Sequence, residues 1–575
     1  MNRTGDLGDG EAIAAKGLTG TVVRGTALAG IGYALSQILT LASYLVLARL
    51  VTPTEFGWFT AGLVLVGLAQ LYTDSGMLAA LVYRRDRLEE AASTAVVATF
   101  LAGLLLGLLM VALAPAIGSF FDSATVTGVA AAAGGLALLR TISIVPEALL
   151  QRQFSFLRRM IVEPGSVLAF GVVGIVLTAN GLGVWGLVIA QYASFLVGAL
   201  LSWGLIRWRP QLRLASFAMW RELITYGRHT IAATTVIRVG EEIPVLLLGR
   251  FTGAAALGQL RYGRRIASLP LAMIMAAASY VLFPAFARIA TERERFHASV
   301  LRALRWMAIL AVGGGLIMIP LGKPLATLAF GDVWAQAGEA VMALGAYTAA
   351  RGISSLLVEA FKADGNPQVV TRMNIVELTV GTVAMLALLP FGLVGVCVGI
   401  SIGAIVRAGY ALRRADVTLG LPLTNLLEAI RAPLIAALAM VALLLPLDIL
   451  VLHAGDRAIG PGLLLLTLEA ALGLAIYTGI LHMLIPGALA ELRSLLGKIR
   501  TRSVAHDEAS ERRRQAETKK RVLARNIFDR MSPVEQDAAL GPDLAEAVRN
   551  GEVELGDLVT AGPGPGRSAP RAGQS

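Results

Sequence analysis

The chain has 575 residues, of which 56% are hydrophobic and 15% charged, and its mean hydropathy is +0.69. Soluble globular domains carry roughly a quarter charged residues, so the composition excludes them and leaves a multi-span membrane protein. The net charge of +11 would point to nucleic acid in a soluble chain. Here the basic residues fall mainly in loops between apolar runs and in the tail, so membrane topology accounts for them and no nucleic-acid partner is expected.

The chain opens on a polar segment, 1–26, expected in the cytoplasm. The first apolar run is too long for the core of a cleavable signal. Apolar segments of spanning length are predicted at about 27–50, 56–74, 92–117, 124–146, 160–179, 183–206, 226–248, 257–287, 303–322, 334–361, 370–390, 392–413, 430–452 and 462–485, fourteen in all. Basic residues follow every second span: Arg84, Arg85 and Arg87; Arg152, Arg158 and Arg159; Arg207, Arg209, Arg213 and Arg221; Arg288, Arg293 and Arg295; Lys362; Arg413 and Arg414. The intervening loops are short and carry little positive charge beyond Arg250, Lys323 and Arg457. The alternation places the even loops and both termini in the cytoplasm.

Internal likeness recurs along the chain. Arg49 to Gly57 at the end of the first span matches Arg250 to Gly258 at the end of the seventh. Arg140-Thr-Ile-Ser143 with Glu147 matches Arg351-Gly-Ile-Ser354 with Glu359. Gly183 and Gly186 match Gly392 and Gly395. The offsets are about 201, 211 and 209 residues. Six spans per copy is an even number, so both copies enter the membrane the same way round. The expected fold is an all-α integral membrane protein with two six-helix lobes, 27–206 and 226–413, in parallel pseudo-twofold repeat. A linker at 207–225 joins them and two further helices follow at 430–486. From 487 the chain turns charged and then Pro/Gly-rich, an expected cytoplasmic and partly disordered tail.

Motifs for catalysis are sparse. Gly181-Leu-Gly183-Val-Trp-Gly186 has the letters of a dinucleotide fingerprint but lies in a turn between two spans, and no GxxxxGK[ST] occurs. The single Cys397 excludes an intrachain disulfide, and the scattered histidines make no metal-ligand spacing, so neither metal nor cofactor is expected. Gly103 and Gly107 fit a GxxxG packing face.

Charge inside spans is the informative signal, since each such residue costs roughly 2.5–3.5 kcal/mol on insertion scales. Thr234, Arg238, Glu241 and Glu242 share one helical face of the seventh span; Arg261, Arg264, Arg265 and Ser268 share one face of the eighth. Facing a cavity, the arginines suit an anion such as phosphate, which guanidinium binds through paired hydrogen bonds. Glu241 and Glu242 are candidates for proton or sodium coupling, or for pairing with arginine. The alternative is snorkelling to the interface, which suits Arg261, near a short loop. Arg140 and Arg351 are either further cavity cations or a duplicated structural anchor. Arg49 and Arg250, at helix ends, read as interface anchors.

The stretches 35–68, 145–159, 246–274 and 281–289, in that order with fourteen spans, resemble the Wzx-type oligosaccharide flippases, and within them the WzxC/TuaB-like polysaccharide exporters. These belong to the superfamily of multidrug, lipid-linked-oligosaccharide and polysaccharide exporters that includes MurJ. The resemblance covers about residues 25–490. It implies a V-shaped pair of lobes around a cationic cavity in the bacterial cytoplasmic membrane. It further implies transfer of an undecaprenyl-pyrophosphate-linked oligosaccharide to the outer leaflet by alternating access, with membrane lipid and polysaccharide polymerase or export machinery as partners. Where the family often has an acidic residue six positions before the Gly-Arg motif of the seventh span, this chain has Pro244. The first span lacks the arginine that MurJ-like proteins tend to place there. The rival of the same fold is a small-molecule cation antiporter. An enzyme acting on lipid-linked sugars would need a sizeable outer loop, and each outer loop here is short.

Overall fold

A chain in hydrocarbon must satisfy each backbone N–H and C=O within itself, so runs of Leu, Ala, Val and Gly fold as long helices. The computed structural model describes residues 32, 34–70, 81, 86–152, 156–206, 208–272, 282, 285–487, 523 and 525–549. Every regular element among them is helical. Nine helical stretches among the described residues are long and apolar enough to cross a membrane. The chain divides between Leu484 and Ile485 into two units.

In the larger unit the elements are α1 (Ala34–Leu50), α2 (Pro53–Gly62) and α3 (Val64–Gln70), then α4 (Leu88–Phe120), α5 (Ala124–Arg152), α6 (Phe156–Ala179) and α7 (Gly183–Leu205). Next come α8 (Phe217–Phe251), α9 (Ala254–Ala267), α10 (Arg293–Leu316), α11 (Met318–Phe330) and α12 (Ala335–Ala363). The unit closes with α13 (Pro367–Leu388), α14 (Gly392–Arg414), α15 (Leu423–Leu447) and α16 (Ile459–Leu484).

Three elements differ from the sequence expectation. The expected linker at 207–225 already contains the start of α8. Ser216 caps that helix, accepting from the Met219 N–H at 3.2 Å and donating to Glu90 Oε1 at 3.0 Å. The ninth predicted span is two helices, α10 and α11, joined at Ile317. Pro320 has no N–H for the Leu316 carbonyl, which weakens the ladder at that point. The second predicted span is likewise divided at Leu63.

Glycines set the closest crossings. A Cβ on Gly107 would lie 2.6 Å from the Gly134 carbonyl oxygen, and one on Gly134 would lie 2.5 Å from that of Gly107, where α4 crosses α5. Gly315 and Gly345 repeat the arrangement between α10 and α12, at 2.7 and 2.8 Å. The predicted GxxxG face is part of the first crossing, with Gly103 against Thr141.

A third reciprocal contact joins the N-terminal turns of α2 and α9. A Cβ on Gly57 would overlap the Ala254 carbonyl, and a Cβ on Gly258 would overlap the Pro53 carbonyl. Two arginines flank it. Arg49 at the end of α1 donates to the Leu328 and Ala329 carbonyls at the end of α11, at 3.0 and 3.2 Å. Arg250 at the end of α8 pairs with Asp122 beyond α4 at 2.7 Å. Beside them Tyr262 is fully buried, its ring 4.0 Å from Trp334, 4.9 Å from Phe56 and 5.2 Å from Tyr44. Trp334 donates to the Ala48 carbonyl at 2.8 Å, which satisfies the one polar atom of a fully buried indole.

The second unit contains α17 (Pro533–Leu540) and α18 (Pro542–Arg549). Phe528 packs on Ala545 and Val548. Ser532 and Glu535 form a capping box on α17. The Ser532 hydroxyl and N–H, donating to the Glu535 carboxylate, hold its pKa below the ordinary range.

Candidate functional site

The two polar faces predicted on the seventh and eighth spans meet. A cavity of about 310 Å³ opens where α1, α2, α8, α9 and α12 converge, and Arg238, Arg261, Arg264, Arg265, Glu241 and Glu242 all line it. On α8 these residues recur at helical spacing, and on α9 Arg261, Arg264, Arg265 and Ser268 do the same. The Thr234 side chain, expected on the same face, lies outside the described residues.

The guanidinium groups are held differently. Arg238 pairs with Glu241 Oε2 at 3.0 Å, one turn away on its own helix. Arg264 donates to the Glu241 backbone carbonyl at 3.4 Å. Arg265 donates to Gln37 Oε1 of α1 at 2.6 Å and stands over the Tyr44 ring at 5.9 Å, while its buried Nε has no partner among the described residues. Glu242 lies against the backbone of α3 at Gly67, where a Cβ would come within 2.6 Å of Oε1. Arginines outnumber carboxylates in the chamber, so it carries excess positive charge with donors that cannot be titrated away.

An arm of about 80 Å³ continues the chamber between α8, α12, α13 and α14; Glu241, Arg264 and Tyr347 line both spaces. Arg351 and Glu377 are in the arm. Arg351 Nη1 and Arg407 Nη1 both bond Glu377 Oε2, at 3.1 and 2.8 Å. Arg407 is nearly inaccessible, with its side chain 6% exposed.

Arg140 and Arg351 are therefore not equivalent. Arg140 lines neither space; it bonds Glu147 at 2.8 and 3.2 Å and Ser143 at 2.7 Å, all on α5. Seven residues separate Arg140 from Glu147, two turns that return to the same face. Glu359 follows Arg351 by eight, about 80° further round at 100° per residue. It pairs with Lys362 instead, and Arg351 turns to Glu377. Sequence reasoning missed Glu377 and Arg407, although each is a charge well inside a predicted span and so carried the usual signal. Tyr44 and Tyr347 gave no such signal, since a tyrosine at helical spacing reads as core.

The amino-acid sequence matches the family described as "Polysaccharide biosynthesis protein" over residues 46–339, and that described as "Lipid II flippase MurJ" over residues 245–466. It is 26% identical over 476 residues to the succinoglycan biosynthesis transport protein ExoT of Rhizobium meliloti, covering 80% of this chain and 91% of that protein. It is 24% identical over 323 residues to the teichuronic acid biosynthesis protein TuaB of Bacillus subtilis, covering 56% of this chain and 66% of that protein. The lipopolysaccharide biosynthesis protein WzxC of Escherichia coli is 23% identical over 52% of this chain and 60% of its own. In fold the chain is similar to the lipid II flippase MurJ in an inward closed conformation, with a TM-score of 0.66 at 14% identity over 80% of this chain and 99% of that one. It is also similar to an inward-facing MATE-family multidrug transporter, with a TM-score of 0.56 at 18% identity over 67% of this chain and 94% of that one. The first family match takes in just over half of the chain, and with its run of apolar helices the protein is a bacterial membrane protein that belongs to the polysaccharide biosynthesis protein family.

Proposed function

We propose that this protein is a flippase that carries an undecaprenyl-pyrophosphate-linked oligosaccharide across the cytoplasmic membrane for the synthesis of a surface or exported polysaccharide. The observation that carries the reading is the chamber in which, among the described residues, Arg238, Arg261, Arg264 and Arg265 converge with two carboxylates. A pyrophosphate offers several acceptor oxygens to such donors. A cation antiporter needs the opposite excess, which weighs against that rival. The relatives in polysaccharide synthesis and the MurJ-like fold support the same reading.

The transport cycle in this reading is alternating access between two six-helix lobes, with fourteen spans in all and both termini in the cytoplasm. The paired glycine crossings, Gly107 with Gly134 and Gly315 with Gly345, support the lobes as repeats. The reciprocal contact of Gly57 and Gly258, with Arg49 and Arg250 beside it, would close the outer ends and leave the chamber to be loaded from the cytoplasmic side. The arginines hold the pyrophosphate while the lipid tail stays in the bilayer. A polysaccharide polymerase or exporter would receive the product.

The test is export in a deletion strain carrying the Arg238→Ala, Arg265→Ala double variant, with protein level checked by immunoblot. The expected result is loss of surface polysaccharide and accumulation of lipid-linked oligosaccharide on the inner leaflet. Full export at normal protein level would overturn the site.

A further inference from the structure

The last two helices carry a charged group that the flippase reading leaves unused. Glu469 of α16 is 1% exposed, and neither of its carboxylate oxygens has a hydrogen-bond partner among the described residues. It stands on the face of α16 where Gly462, Leu466, Gly473 and Tyr477 are also buried. A Cβ on Gly473 would lie 2.6 Å from Leu444 of α15 and 3.4 Å from Ile317 at the head of α11. One on Gly462 would lie 2.5 Å from Leu328 of α11 and 3.0 Å from the Ala454 carbonyl beyond α15. α11 and α15 therefore both run antiparallel to α16. Four residues along each helix from the Gly473 contact, Leu321 and Asp448 reach the level of Glu469.

An ionised carboxylate without donors is costly between apolar helices, whereas the neutral acid is accepted there. Asp448 is near enough to act on Glu469 electrostatically, and two neighbouring carboxyl groups do not readily ionise together. Of the two, Asp448 has a donor, the Ala454 N–H at 3.2 Å on Oδ1, and Glu469 has none among the described residues. Other charges lie elsewhere. Lys323 of α11 and His453 and Arg457 beyond α15 are exposed, and the Asp456 side chain lies outside the described residues. Arg302 and Arg305 of α10, Glu428 and Arg431 of α15 and His482 of α16 are about three turns or more away in register. A charge on Glu469 would disturb α11. That helix is separate from α10 at Ile317 and ends at Gly331, where φ is 102°. Leu321 and Leu328 pack with Leu466 of α16. Leu328 does double duty: its side chain lies against Gly462, and its carbonyl accepts from Arg49 at 3.0 Å.

We propose that Glu469 is a proton-binding site that governs the contact between α11 and Arg49. With the proton on, α11 rests on α16 and its last carbonyls hold Arg49. When Glu469 releases the proton to water and keeps the electron pair as a carboxylate, the charge draws water between α11, α15 and α16. α11 then leaves its seat, and Arg49 loses its acceptors. The consequence for transport rests on the flippase reading, in which that contact closes the outer ends; the proton site itself does not.

The experiment uses the full-length protein in nanodiscs, with spin labels on Leu182→Cys and Val333→Cys in a Cys397→Ser background. Both positions are exposed, in the turns before α7 and α12. Pulsed electron resonance follows the distance between the labels, and infrared difference spectroscopy follows the carbonyl band of the protonated carboxyl. As the pH is raised from mildly acid to mildly alkaline, the protein with Glu469 intact is expected to lose that band and to gain a population of longer distance. For one proton the ratio of the two populations changes by up to about tenfold per pH unit. In Glu469→Gln, neutral at any pH, the band change is expected to vanish and the short distance to persist. A band change that survives in Glu469→Gln overturns the proton site. A distance distribution indifferent to pH with Glu469 intact overturns its link to the closure, and an undiminished distance response in Glu469→Gln overturns Glu469 as the source. Neither readout needs transport, so export by the Arg238→Ala, Arg265→Ala variant tests the flippase reading separately.

Discussion

Arg407 has almost no contact with solvent and, among the described residues, one carboxylate to neutralise it, which makes Glu377 the more consequential partner of that pair. Removing one member of a buried ion pair leaves an uncompensated charge and costs about 3–5 kcal/mol. Glu377→Ala is therefore expected to lower the thermal unfolding temperature in detergent far more than Glu147→Ala. Arg140, at 20% exposure, has water and Ser143 to fall back on. Equal shifts for the two variants would contradict this account. The candidate cations of the chamber were legible in the sequence, because a charge inside a span is visible in one dimension. Their partners were not. Arg265 finds Gln37 across more than two hundred residues of chain, and no local spacing encodes that. The divergence of Arg140 from Arg351 is an intermediate case: seven residues against eight is legible, but only once helical phase is applied to the pair.

At the scale of single helices, the glycines divide by what surrounds them. A Cβ at Gly107 or Gly315 would press on a neighbouring carbonyl at 2.6 or 2.7 Å, whereas Gly409 and Gly479 have nothing within 4 Å. Overpacking a tight contact costs about 1–3 kcal/mol, and glycine in an unobstructed helix interior costs about 0.5–1 kcal/mol relative to alanine. Gly107→Ala and Gly315→Ala are expected to lower the unfolding temperature, and Gly409→Ala and Gly479→Ala to leave it unchanged or raise it. The same sign for all four would show that crossing distance does not set stability here. Most spans were legible from apolar runs, since hydrocarbon permits little but helix. The exceptions have local causes. Pro320 divides α10 from α11 within one apolar run, and α8 extends beyond its apolar stretch because Ser216 caps it early. Whether a glycine meets open space or a backbone depends on the partner helix, which a single sequence does not display.

For the molecule as a whole, the contacts around Gly57 and Gly258 would determine how readily the proposed outer gate opens. An exposed ion pair such as Arg250 with Asp122 contributes about 0.2–1 kcal/mol, and a cation on helix C-terminal carbonyls, as at Arg49, about 0.3–1 kcal/mol. Together, at about 0.5–2 kcal/mol, they would hold back opening by a factor of about 2–30. The Arg49→Ala, Arg250→Ala double variant is expected to increase labelling of Tyr347→Cys by an impermeant maleimide added outside the cell, in a Cys397→Ser background. Unchanged labelling would remove these arginines from the gate. The duplicated arginines read in the sequence as membrane anchors; only the fold brings each to a distant helix end. The reciprocal glycine contact has one more consequence, which concerns divergence. In the proposed repeat, a charge whose partner is another side chain is free to change partner, as the different pairings of Arg140 and Arg351 illustrate. At Gly57 and Gly258 the neighbour is the main chain of the other proposed copy, which no side-chain substitution can move aside. If the halves share an ancestor, as the proposed repeat has it, the likeness of Arg49–Gly57 to Arg250–Gly258 would be held in place by this contact, where each main chain bounds the other.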